Sequence, residues 1–282
     1  MDDKVTHVPL AELHPFPGHP FQLRDDDAMR DTVDSIKEYG VLVPAIVRPR
    51  EEGGYEIVSG HRRKYASELA GLETMPVIVR NLERDAATIV MVDSNLQREN
   101  ILPSERAAAY KMKLEAIKRQ GARNDLTSAQ VVPKLTAREK VAEDAGVNRM
   151  EVSRYVRLTE LEPELQQMVD EKKIGITPAV EISYLKPEEQ KLLLDTIESE
   201  QATPSLSQAQ RMKKLSQSGE LNDDTMLGIM MEQKKPEKMD ITIPAEVLQK
   251  YFPRSYTPQR MQETIIKLLE GWQKKRQQQM QR

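Results

Sequence analysis

The sequence predicts an α+β protein. A small α/β segment is expected over residues 1–102, an all-helical segment over 103–233, a linker over 234–240 and a short helical tail over 241–282. Three observations carry this. Short β-branched runs alternate with helical spacings through the first hundred residues. From Pro103 onward nearly every segment keeps a helical period. Hydrophobic residues make up 38% of the chain and charged residues 31%, which suits two or three modest cores better than one large globule.

Composition also bounds function. The formal net charge is −3, so nucleic-acid binding must be argued from local clusters. The absence of cysteine excludes disulfides and thiolate metal sites, and fits a cytoplasmic protein. The polar start Met1-Asp2-Asp3-Lys4 does not read as a signal peptide, and no apolar run approaches a membrane span. The expectation is a protein without membrane contact.

Taken in order, Val5 to Leu10 reads as a strand. Asp27 to Tyr39 carries Met29, Val33 and Ile36 at helical spacing, with Gly40 as its C-cap. Ala45 to Arg48 and Tyr55 to Val58 are strands around the turn Glu51-Glu52-Gly53-Gly54. Gly60-His61-Arg62-Arg63-Lys64 then opens a helix through Ala70. Glycine at such a turn lets the backbone approach a ligand, and the first helical amides lack internal partners. Two arginines add forked donors, so the stretch has the makings of a phosphate site. A solvated basic helix start fits the same residues. Pro76 to Val79 and Ala86 to Asn95 complete this part as strand and helix.

Pro103 starts a long helix expected to end near Gln120, stopped by Gly121. Its six basic residues over 106–123 face one acid, Glu115, and read as a solvated face or as phosphate contacts. Thr136 caps a helix through Ala145, Gly146-Val147-Asn148 makes a tight turn, and a second helix runs from Arg149 to Leu158. The small and apolar pattern of Ala142, Gly146, Val147 and Val152 is that of a helix-turn-helix, though an ordinary helical hairpin shares it. The polar side of the second helix offers Asn148, Arg149, Ser153, Arg154 and Arg157 as DNA-reading groups. Helices follow at about 162–171, 177–185, 187–199, 206–215 and 223–233. In the tail, Ile241-Thr242-Ile243 precedes a short helix, and Thr257 caps a last one. Met261, Ile265, Leu268, Leu269 and Trp272 form an apolar stripe on that helix, too large for so small a unit to bury, which predicts self-association. The Gln-rich run from Gln277 reads as a frayed end.

No hydrolase or Walker-type motif is present. The four histidines, His7, His14, His19 and His61, lack metal-ligand spacing, and His14 and His19 read as loop residues.

Gly60 to Ala66 and the stretch Asn95-Leu96-Gln97-Arg98-Glu99-Asn100-Ile101-Leu102-Pro103-Ser104-Glu105 resemble the two phosphate boxes of the ParB family of DNA-partition proteins. Ser35 to Pro44 and Ala70-Gly71-Leu72 before Met75 to Val79 match as well, with order and spacing kept from about Val8 to about Leu185. The resemblance implies CTP and Mg²⁺ binding. Gly60, His61, Arg62 and Arg63 form the first box, Asn95 ligates the metal, and Gln97, Arg98, Glu99 and Glu105 line or brace the pocket, with Gln22 near the base. It also implies a homodimeric clamp that loads at a specific centromere-like site on double-stranded DNA through the helix-turn-helix. The partner it implies is a ParA-type ATPase, and the location is the nucleoid or a plasmid. Two departures bear on turnover. His61 and Ser94 stand where the family usually has glutamate, which predicts at most a weak CTP hydrolase, with neutral His61 as a conceivable proton acceptor. A third, Thr177-Pro178-Ala179-Val180, replaces a Gly-His-Ala-Arg-like run. The competing expectations are a ParB-like transcriptional or element-maintenance regulator without a nucleotide cycle and, less favoured, a ParB-fold nuclease.

Overall fold

In the computed structural model, residues 4–98, 100–125, 135–232, 245–248, 250–253 and 255–280 are described. Residues Met1–Glu232 form one compact unit and Gln233–Arg282 a second. The architecture is α+β, and the expected linker 234–240 and Ile241-Thr242-Ile243 lie outside the described residues.

Five strands build the sheet: β1 (Val5–Pro9), β2 (Leu13–His14), β3 (Ala45–Pro49), β4 (Tyr55–Ser59) and β5 (Thr74–Val79). Their order is β1-β5-β3-β4-β2. β3 runs parallel to β5, with Ala45 opposite Val77, and antiparallel to β4. Alternation along β3 and β5 turns Ala45, Val47, Met75 and Val77 into one core with Val8, Leu13 and Ile57. β2 was not expected. It is two residues long and exists because β4 offers it a parallel edge, pairing Leu13 with Tyr55. His14 is therefore a strand residue.

Helices α1 (Asp27–Tyr39) and α2 (His61–Leu69) pack on each other through Met29, Val33, Ile36 and Ala66. Asp26 caps α1, its Oδ1 accepting from the Met29 N–H at 2.9 Å. Helix α3 (Arg84–Leu96) buries Ala87, Met91 and Val92 against Val58, Phe16 and Phe21.

Helix α4 (Pro103–Asp125) starts on a carboxylate from another helix: Asp170 accepts from the Ser104 N–H at 2.9 Å. It does not stop at Gly121 but continues to Asp125. One helical glycine costs only about 1 kcal/mol, and a long helix absorbs that. Lys113, expected on a solvated basic face, is completely buried and contacts Asp93 at 2.5 Å and Asp144 at 2.7 Å.

Helices α5 (Ala137–Ala145) and α6 (Arg149–Leu158) form the hairpin. Thr136 and Glu139 make a reciprocal capping box, and Gly146 turns the chain at φ 65°. Val141, Ala142 and Val152 bury against Tyr110 and Leu114 of α4. Then follow α7 (Pro163–Asp170), α8 (Ile176–Ile182), α9 (Pro187–Glu200), α10 (Leu206–Ser218) and α11 (Asp223–Met231) around a shared core.

The second unit contains α12 (Ala245–Leu248) and α13 (Pro258–Met280). Thr257 Oγ1 accepts from the Arg260 N–H at 3.4 Å. The Gln-rich run continues the helix to Met280 instead of fraying. Leu268, Leu269 and Trp272 of the apolar stripe are exposed.

Candidate functional site

At Gly60 the chain leaves β4 and enters α2 with φ 115°, a conformation that side chains strain. A Cβ there would lie 2.8 Å from Ala45 Cβ, so β3 also excludes any larger residue. No side chain caps α2, which leaves its leading amides for a ligand. Gly60, His61, Arg62 and Arg63 line a pocket of about 180 Å³ with His19, Leu23, Ser59, Ser94, Asn95 and Arg98.

The two arginines are held differently. Arg62 lies 3.5 Å from Asp26 Oδ1 in a partly exposed pair. Arg63 Nη1 donates to the carbonyls of Val43 at 2.6 Å and Pro44 at 2.7 Å, which ties the turn before β3 to the pocket. Arg63 thus has Nη2 and Nε left for an anion.

Asn95 Nδ2 donates to its own helix at Met91 O, 2.8 Å away, leaving Oδ1 as the atom able to ligate a hard cation. The Ser94 hydroxyl donates to the same carbonyl at 3.0 Å. Among the described residues no group of three or more His, Cys, Asp or Glu is placed to hold a metal. A cation here would rely on Asn95, ligand oxygens and water.

His61 occupies the first position of α2, and its Nε2 accepts from the Phe16 N–H at 3.2 Å. The ring proton therefore sits on Nδ1. Burial, then the neighbouring His19, Arg98 and Lys64, push its pKa down to about 3. Neutral His61 was expected to be able to accept a proton. Its bare nitrogen is already engaged by the Phe16 amide and burial suppresses its basicity.

Sequence reasoning missed His19. Its ring lies 4.0 Å from that of His61, centroid to centroid. His19 Nδ1 donates to Phe21 O at 2.8 Å, so Nε2 is a bare acceptor, buried and without a partner among the described residues. Burial lowers its pKa as well, partly offset by that hydrogen bond. No local signal marks His19. The burial of Phe16 and Phe21 delivers this loop to a pocket some forty residues away in sequence.

The pocket is strongly cationic. Burial lowers the Arg98 pKa, and Arg62 and Arg24 push it in the same direction. The described residues lining the pocket include no carboxylate. Glu105 is buried beside it, not in its lining, and accepts from the N–H groups of Gln22 and Leu102, each at 3.0 Å. It braces the Gln22 loop onto the start of α4. Gln97 is the C-cap of α3 and does not line the pocket, and Glu99 lies outside the described residues.

The polar side of α6 forms a second candidate surface. Asn148 caps the helix, its Oδ1 accepting from the Met150 N–H at 2.8 Å. Arg149 Nη1 reaches Glu139 Oε1 at 3.4 Å, and the Ser153 hydroxyl returns to Arg149 O at 3.1 Å. Arg154 is exposed and donates to Thr177 Oγ1 at 2.5 Å. Arg157 is committed to α8. Its Nε donates to Ser183 Oγ at 3.1 Å, its Nη2 to the Ser183 carbonyl, and its guanidinium lies 4.2 Å from the Tyr184 ring.

Among the described residues no helix is long and apolar enough to cross a membrane. The family model of the ParB N-terminal domain matches residues 1–96, and that of the ParB HTH domain matches residues 126–219. Stage 0 sporulation protein J of Bacillus subtilis is 34% identical over 170 residues, 60% of this chain and 54% of that protein. The chromosome-partitioning protein Spo0J of Thermus thermophilus is 34% identical over 186 residues, 66% of this chain and 62% of its own length. The chain therefore spans less than two thirds of these relatives. Two crystal structures of the C-terminally truncated chromosome-partitioning protein ParB of Caulobacter crescentus are also similar. The one complexed to the centromeric parS site is 24% identical, with TM-score 0.45 over 74% of this chain and 98% of that one. The one complexed with CTP-gamma-S is 28% identical, with TM-score 0.32 over 64% and 92%. Both ParB domains follow one another along this chain in the order that the two boxes and the helix-turn-helix led one to expect, and the protein belongs to the ParB family.

Proposed function

We propose that this protein is a sequence-specific DNA-binding partition protein regulated by CTP. One observation carries the reading: a cationic pocket at the uncapped start of α2, with no carboxylate among its described lining residues, shares a compact unit with a helix-turn-helix whose Arg149 and Arg154 are exposed. Mutual repulsion among Arg62, Arg98 and Arg24 is relieved by a polyanion, and free helical amides favour a phosphate. Gly60, Arg62, Arg63 and Arg98 hold the triphosphate, and Asn95 Oδ1 contributes to a Mg²⁺ ion carried with it. His61, Gln97 and Glu105 shape the surroundings of that site. Arg149, Ser153 and Arg154 read bases, helped by Asn148 at the helix start, while Arg157 sets the angle of α6 against α8.

The chain acts as a homodimer closed by its tail, on a centromere-like site of a chromosome, plasmid or mobile element, with a ParA-type ATPase as partner. DNA pull-down with sequencing, run with and without CTP, tests the reading. A discrete enriched site whose occupancy responds to CTP supports it, and enrichment indifferent to sequence overturns it. A regulator without a nucleotide cycle is the second reading. It is favoured by Ser94 and His61, neither of which supplies a carboxylate to the pocket. An enriched site indifferent to CTP selects it.

A further inference from the structure

The geometry points to Thr177 as the residue that positions Arg154 for base recognition and so helps set which DNA site is preferred. This rests on the reading of α6 as the DNA-facing helix. Thr177 lies in the first turn of α8, inside the Thr177-Pro178-Ala179-Val180 run where the chain departs from its family. Its Oγ1 accepts from Arg154 Nη2 at 2.5 Å, across 23 residues of sequence.

The three arginines of α6 differ in what holds them. Arg157 is engaged by the buried Ser183 and by the face of Tyr184, so its donors serve helix packing. Arg149 leans on the carboxylate of Glu139, which competes with any base for its charge. Arg154 is the exposed one whose anchor is a neutral hydroxyl, that of Thr177. A neutral acceptor orients a guanidinium without cancelling its charge. One Nη2 proton on Thr177 leaves the rest of the fork free for a two-bond contact with a guanine edge.

The anchor is itself fixed. Arg157 locks α8 to α6 at Ser183, which is 2% exposed. Lys213 of α10 adds an ion pair to Glu181 at 2.8 Å and lies 3.8 Å from the Tyr184 ring. Thr177 is thus presented at a set distance from α6. An otherwise free arginine must lose rotamer freedom on binding, and a tether held before binding reduces that loss.

The test uses the full chain and a duplex enriched by it from a randomised double-stranded pool, compared with a scrambled duplex of the same composition. Thr177→Val keeps the shape and removes the acceptor, and is expected to lower the enriched-to-scrambled affinity ratio about fivefold, the worth of one hydrogen bond. Thr177→Ala should do the same. Thr177→Ser should keep the ratio within about twofold of the parent, because the acceptor remains. In an Arg154→Ala background, Thr177→Val should change nothing. A ratio untouched by Thr177→Val and Thr177→Ala but lowered by Arg154→Ala overturns the positioning role. A ratio untouched by Arg154→Ala overturns the reading of α6 instead.

Discussion

Asp144 of α5 holds the ammonium of Lys113 at 2.7 Å, and the Lys113 side chain is wholly shielded from water. Asp93 of α3 holds the same ammonium from the other side at 2.5 Å. Asp93 precedes Ser94 and Asn95 of the pocket, and Asp144 sits near the end of the first hairpin helix. One buried lysine thus links the helix that carries the second phosphate box to the helix-turn-helix through α4.

The carboxylates are the groups to remove. Asp93→Asn with Asp144→Asn leaves a buried ammonium without a counter-charge, expected to cost about 3–5 kcal/mol in urea unfolding. Adding Lys113→Met to that double variant should recover most of the loss, since an apolar side chain of similar size no longer needs a partner. A triple variant no more stable than the double one would contradict this account.

Arg62→Ala and Arg63→Ala should both weaken CTP binding by calorimetry, each by about 1.5–3 kcal/mol for a lost charged hydrogen bond. Only Arg63→Ala should also lower thermal stability, because Arg63 carries the two carbonyl contacts at Val43 and Pro44. Undiminished CTP affinity in both variants would remove the phosphate assignment.

His61 gives a pH dependence with a definite sign. Its folded-state pKa, about 3, lies below the ordinary histidine value of 6.5. The unfolded chain therefore binds the proton more readily. The neutral-His contribution is full above about pH 6.5, and stability falls as pH drops from there toward 3. The slope from this group is at most about 1.4 kcal/mol per pH unit. His61→Gln, which keeps an acceptor for the Phe16 amide, should flatten the curve between pH 4 and pH 6, roughly the middle of that window. An unchanged slope would mean that His61 is not the titrating group.

CTP turnover should be slow. The Ser94 hydroxyl is spent on Met91 O and the His61 acceptor on Phe16, and burial lowers the basicity of His19, whose Nε2 is the remaining bare imidazole nitrogen among the described pocket residues. His61→Glu with Ser94→Glu should raise phosphate release in the presence of DNA. Rapid release by the parent protein would show that a base outside this set is at work.

Deleting residues 240–282 should turn a dimer into a monomer at micromolar concentration. The motive is the exposure of Leu268, Leu269 and Trp272 on α13. Light scattering that still finds a dimer would assign dimerisation to the rest of the chain.

The sequence by itself determined the α+β class, the expected helices of Met1–Glu232 to within a few residues, and the two boxes. These are local properties. The period of Met29, Val33 and Ile36 specifies α1, Thr136 with Glu139 specifies a helix start, and Gly60 and Gly146 mark turns that only a permissive backbone makes. Tertiary structure decided what depends on contacts between distant residues. It added β2 as an edge strand on β4, brought His19 to the pocket by burying Phe16 and Phe21, and carried α4 past Gly121. It also separated residues of one type. Arg154 remained at the surface while Arg157 was absorbed into packing, and Lys113 was buried while Lys111 stayed partly exposed. The two members of each pair carry the same side chain and the same charge in the sequence. Their roles diverge because only the folded chain fixes which partner lies within hydrogen-bonding reach.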